Sequence, residues 1–310
     1  MGELLAIAAL IMFSVNIIVT KVASSRLDLG FGFMVSIAVN VLFSGLLVVA
    51  ALPFREVPLE WHGRAFLFFL LAGIFSTFLG RWLFFKTIAI LGPAKASAFQ
   101  VSNPLFTVII AWFLLGEILR PFELLAIFLI MFGLFLVSYL KPKSTAEETT
   151  GKTTGQLLNL VWIAPMLNKG VLIALLSAVF YAVSNVLRGL GIRDWNEPIL
   201  GALIGAVLGM ILHMLFNYKI RNFFAQLKEA DKKALYLYIF SGMLTISAQS
   251  ASIASMWYIP VSIANLITLS TPVIVTPVSY FLLKNEEGIN WRTVAGIALV
   301  LAGISLIVLY

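Results

Sequence analysis

The sequence predicts an all-α integral membrane protein with ten transmembrane helices in two inverted five-helix repeats. Three observations lead there. Of 310 residues, 61% are hydrophobic and 11% charged, whereas soluble domains carry about 25% charged residues. Apolar runs of the roughly 20 residues needed to cross a hydrocarbon core recur along the chain. Two of these runs hold a proline just after polar residues, in QVSNPLF (100–106) and TLSTPVI (268–274).

Taken in order, the first run covers 3–22; its opening MGELLAIAAL carries an acid where a cleaved signal has basic residues, so it reads as a retained span. Runs at 31–52, 65–88, 95–115 and 122–140 complete the first half. The long polar interval KPKSTAEETTGKTTGQ (141–156) reads as a solvated linker. LLNLVWIAPML after it is too short to cross and reads as interfacial. Runs at 169–188, 198–216, 234–257, 262–283 and 292–310 form the second half. The predicted organisation is a first repeat at 1–140, a linker with an interfacial segment at 141–168, and a second repeat at 169–310. Helices follow because lipid offers no partner to an open strand edge. The alternating ten-residue strands of a barrel do not occur.

A weak internal repeat relates the halves. A shift of 168 positions superimposes Thr77 on Thr245, Ala96 on Ala264, Ser102 on Ser270 and Pro104 on Pro272. Phe113, Leu114 and Leu115 then meet Phe281, Leu282 and Leu283. An odd number of spans per repeat turns the second copy upside down, the plan of many secondary transporters.

The prolines come with polar stripes. Ser97, Gln100, Pro104 and Thr107 share one helix face, and their counterparts are Asn265, Thr268, Pro272 and Val275. Such a stripe faces a neighbouring helix or a wet cavity, not lipid. The same shift sets Arg81 on Gln249, and a shift of 169 sets Asn16 on Asn185. Asn16, Arg81, Ser97 and Gln100, with Asn185, Gln249, Asn265 and Thr268, are therefore the candidate substrate-binding residues of a central polar cavity. Trp82, Tyr181 and Trp257 are candidate walls, although interfacial anchoring is the commoner role of such rings. Pro104 and Pro272 are candidate helix breaks around which access alternates.

Four cations approach the interior: Lys21, Arg81, Lys86 and Lys95. The lysines read as snorkelling chains. Arg81 lies deeper, where snorkelling and a bidentate grip on a substrate carboxylate are both open. The aspartates lie outside the spans and the glutamates in loops or near span ends, so no mid-membrane proton relay is expected and facilitated diffusion or exchange fits better. Gly116, Glu117 and Glu286 read as turn or capping features. GALIGAVLG (201–209) repeats small residues every four positions and reads as a packing or dimer contact.

Other classes are disfavoured. The net charge of +7 falls in short turns, without the basic and aromatic groove that polynucleotides need, so no nucleic-acid partner is expected. There is no cysteine, and the two histidines form no HExxH pattern, so no metal site, cofactor or enzymatic activity is expected. An intramembrane enzyme and a channel stand as the alternatives. Partners are the lipid bilayer and a small-molecule substrate, with the chain a monomer or homodimer. Of 21 Lys and Arg, Arg55, Arg64, Arg120, Arg188 and Arg193 fall on the side of the termini; fifteen fall opposite, Arg81 being inside a span. Charge bias thus places the termini outside.

FSVNIIVTK (13–21), GPAKASAFQVSNPLFTVIIAWFLLGE (92–117) and the glycines Gly133 and Gly303 together resemble the ten-helix EamA-type branch of the drug/metabolite transporter superfamily. The resemblance covers nearly the whole chain. It implies two inverted repeats in the cell (plasma or inner) membrane and transport, often export, of small metabolites such as amino acids. It also implies cytoplasmic termini, against the charge bias, so orientation stays open. Two features depart from the pattern: Glu286 falls one residue out of register with Glu117, and position 190, opposite Lys21, is leucine.

Overall fold

The computed structural model describes residues 1–54, 58–91, 99–138, 169–216, 223–283 and 291–309. The candidate linker at 141–168, Ser97, Lys95 and Glu286 lie outside the described residues.

Within the described residues, each predicted apolar run is largely helical. The first half contains α1 (Gly2–Ser24), α2 (Leu29–Ala51), α3 (Gly63–Gly73), a π-helical segment (Ile74–Gly80), α4 (Arg81–Leu91), α5 (Asn103–Leu115) and α6 (Pro121–Ser138). The second contains α7 (Lys169–Asp194), α8 (Pro198–Phe216), the short α9 (Phe223–Glu229), α10 (Lys232–Tyr258), α11 (Val261–Thr268), α12 (Pro272–Leu283) and α13 (Trp291–Leu309). Among the described residues, eight helical stretches are long and apolar enough to cross a membrane, and the helices of the fourth and fifth spans are shorter apolar ones. Third and ninth spans are each assembled from consecutive pieces, α3 through α4 and α11 with α12.

Sequence chemistry fixes several boundaries. Asp28 and Asp231 cap α2 and α10, accepting from the backbone N–H of Phe31 at 3.0 Å and of Ala234 at 2.8 Å. Gly116 ends α5 with φ 63°, a left-handed conformation that a side chain disfavours. Pro104 lies in the first turn of α5, and Pro272 opens α12, where a missing N–H removes no helical bond. The ninth span therefore stops at Thr268, passes through 269–271 and starts again at Pro272.

The packing map carries the inverted symmetry. α1 packs on α10, and the α3–α4 span packs on α7; these are the first span with the eighth and the third with the sixth. α2 packs on α8, α5 on α11 and α6 on α13. Exchanging the repeats converts the first pairing into the second and returns each of the other three to itself. Without a hydrophobic drive between helices in lipid, such contacts depend on close backbone approach. Gly73 and Gly205 meet so closely that a Cβ on Gly73 would lie 2.8 Å from the Gly205 backbone. Gly133 and Gly296 likewise face each other's carbonyl oxygens, which a Cβ would meet at 2.6 and 2.7 Å. The stripe Gly201, Gly205 and Gly209 is thus consumed inside the chain, against Phe69, Gly73 and Thr77.

Candidate functional site

The site grows from one face of α7. Ser177, Tyr181, Ser184 and Arg188 follow one another at spacings of four, three and four, a single stripe aimed at the third span. Opposite lies the π-helical segment, a form found mostly as short insertions and often at functional sites. Two serines of the stripe hold its ends. Ser184 Oγ donates to the Ala72 carbonyl at 2.9 Å, and Ser177 Oγ donates to the Gly80 carbonyl at 2.8 Å. Ser76, inside the segment, also donates to Ala72 O at 2.8 Å. Tyr181 lies between the two serines and packs over Gly80, where a Cβ would meet its ring at 3.3 Å.

The breaks of the two proline spans add a buried polar network. Asn265 of α11 donates through Nδ2 to Asn103 Oδ1 at 3.1 Å and Thr107 Oγ1 at 2.9 Å, both on α5. Its Oδ1 accepts from Asn185 Nδ2 at 2.8 Å. Arg188 extends the network, donating to Asn185 Oδ1 at 3.3 Å and Ser76 Oγ at 2.9 Å. Asn103, Thr107, Asn185 and Asn265 are all buried, so each amide's partners replace water it cannot reach.

Arg81 starts α4 beyond the π segment. Its guanidinium stacks 3.7 Å from the centre of the Phe33 ring. The Tyr181 side chain lies within electrostatic reach of both Arg81 and Arg188. Among the described residues, neither guanidinium has a carboxylate within ion-pair distance.

Toward the terminal side the repeats are tied together. Glu117 follows Gly116, and its side chain is 5% exposed. Its carboxylate accepts from Val261 N at 2.7 Å, Ser262 N at 3.2 Å, Ser262 Oγ at 2.7 Å and Arg193 Nη2 at 3.0 Å. A first-repeat acid thus caps α11 of the second repeat at its positive end. Arg64 pairs with Asp194 at 3.3 Å, and Trp61 meets Trp195 with ring centres 5.9 Å apart.

The structure distributes the sequence candidates unevenly. It brings Asn185 and Asn265 into direct contact and places Arg81 beside Tyr181. Gln100 donates to Ser177 Oγ at 3.0 Å and so joins the same stripe. Thr268 is buried, bonded to the Ala264 carbonyl at 2.6 Å and lying 3.5 Å from Ser252 Oγ. Asn16 belongs to another seam, accepting from Ser241 Oγ at 2.6 Å between α1 and α10. Gln249 is half-buried on α10 without a hydrogen-bond partner among the described residues. Trp82 and Trp257 are exposed, and Lys86 stacks 4.5 Å over Trp82. Among the described residues, hydrogen bonds therefore link only some of the candidates.

Sequence reasoning missed Asn103, Arg188, Ser76, Ser177 and Ser184. Arg188 was assigned to a loop because the sixth span was ended there; α7 instead runs on to Asp194 and keeps Arg188 inside. The missed signal was the seven-residue spacing from Tyr181, which keeps Arg188 on the Tyr181 face.

The model of the EamA-like transporter family matches residues 1–139 and 168–309, one copy in each half. No curated protein matches the chain in sequence. A crystal structure described only as that of a protein superposes with a TM-score of 0.70 at 17% identity, covering 99% of this chain and 98% of its own. That likeness concerns the fold.

Proposed function

Because the chain belongs to the EamA-like transporter family, matched in both halves, we propose that it is a secondary transporter of small organic metabolites, an exporter or exchanger of the cell membrane. Access alternates around the region where α5, α7 and α11 meet. The two repeats, 1–140 and 169–310, move against each other, and the helix restarts at Pro104 and Pro272 are where the spans bend.

The observation that carries this reading is the Glu117 contact. One carboxylate of the first repeat gathers four donors of the second, all on the terminal side. On this reading the contact is the closure of that side, released as a unit when the halves rock apart. The interior polar groups then face the terminal side. Inverted repeats supply a closure of opposite sense on the other side.

The test is counterflow in liposomes preloaded with unlabelled solute. A carrier shows uptake of label accelerated by trans solute, which a channel does not. Uptake insensitive to trans solute, for every solute the purified protein binds, overturns the proposal.

A further inference from the structure

We infer that the cargo is a small organic carboxylate of net negative charge, its oxyanion held between Arg81 and Arg188 beside Tyr181. This assignment rests on the transporter reading and adds the substrate class.

Both arginines sit inside spans, deep among apolar elements, and an unpaired charge in such a place is costly. Proteins ordinarily offset it with an acid. Arg193 shows that solution in this same chain, paired with Glu117 at 3.0 Å. Arg81 and Arg188 show another: their partners are a phenylalanine ring, the Tyr181 side chain, a serine hydroxyl and an amide oxygen. None carries formal negative charge. Two of the five guanidinium N–H groups of Arg188 are committed to Asn185 and Ser76, leaving three donors. The Arg81 guanidinium lies on the Phe33 face with the Tyr181 side chain in hydrogen-bonding reach, and its remaining N–H groups can donate in plane.

Those donors and the Tyr181 hydroxyl match what a carboxylate needs, two oxygens with about four acceptor positions. The surroundings also say what the rest of the cargo lacks. The ammonium of a zwitterion calls for an acid, and none of the described carboxylates pairs with or hydrogen-bonds to a residue of this group. An anion completes the charge that the chain leaves open; a zwitterion supplies one charge and requires another.

The experiment uses the purified full chain in detergent, with thermal stabilisation read against rising concentrations of succinate, 2-oxoglutarate, leucine, putrescine and glycerol phosphate, at constant ionic strength set with chloride. The expected result is saturable stabilisation by a carboxylate anion, with apparent affinity at least about tenfold weaker in Arg188→Met and in Arg81→Met. Arg188→Lys should recover part of the loss. Unliganded melting temperatures of the variants show whether they fold. The inference is overturned if only leucine or putrescine stabilises, if glycerol phosphate alone does so, if no anion acts, or if the Met variants respond like the parent. Counterflow of the stabilising anion then separates the two claims. Binding without trans-accelerated flux removes the transporter reading while leaving the anion site in place.

Discussion

Glu117 with Arg193, and Arg81 with Arg188, are two charged arrangements in one molecule with opposite logic. At the terminal side, an acid only 5% exposed is satisfied on every side by two backbone N–H groups, a hydroxyl and a guanidinium. Deeper in, two guanidinium groups have only neutral partners among the described residues. The first arrangement ties the repeats together, and the second is the one proposed above to take an anion. In a membrane interior, the completeness of a charge's partners separates a structural group from one waiting for a ligand.

The contrast makes thermal stability a direct probe. The largest effect is expected for Glu117→Ala, which leaves the backbone N–H groups and hydroxyl at the start of α11 without their acceptor. The loss should be about 2–3 kcal/mol, toward the upper end for hydrogen bonds to a charged group, read as a lower melting temperature in detergent. It is no larger because the 40% exposed Arg193 side chain can return to water. A cysteine placed at Ser262 should also become reactive to an impermeant thiol reagent in that background. An unchanged melting temperature would deny that the acid holds the repeats together.

A middling effect is expected for Asn265→Ala. It leaves the amide of Asn185 and the oxygen of Asn103 without their shared partner, a loss of about 1–3 kcal/mol, checked in the same melting assay. Smallest is Arg81→Met, expected to leave unliganded stability unchanged or slightly raised, because replacing a buried charge by an apolar chain is often neutral or stabilising. A drop comparable to that of Glu117→Ala would place Arg81 in the structural class.

Much of the fold was legible in the sequence because membrane insertion is decided by what sequence reports best, the apolarity of about 20 successive residues. The helix restarts at Pro104 and Pro272 were legible for the same local reason, since proline acts on its own backbone. Arg188 was not. Its cost in lipid argues for a span end, and only the neighbours Ser76 and Asn185, distant in sequence, make a position inside α7 acceptable. The π segment Ile74–Gly80 was equally hidden, because its register is held by two serines on α7. Glu117 was read as a capping residue at its own span end; the helix it caps lies in the other repeat, about 145 positions away.

The seam between α6 and α13 has a consequence of its own. Gly133 and Gly296 each leave vacant the space that the other's carbonyl oxygen fills. No enlargement at one position can be rescued by shrinking the other, for neither residue has anything left to remove. The two halves of the chain are bound at this point to a common minimum.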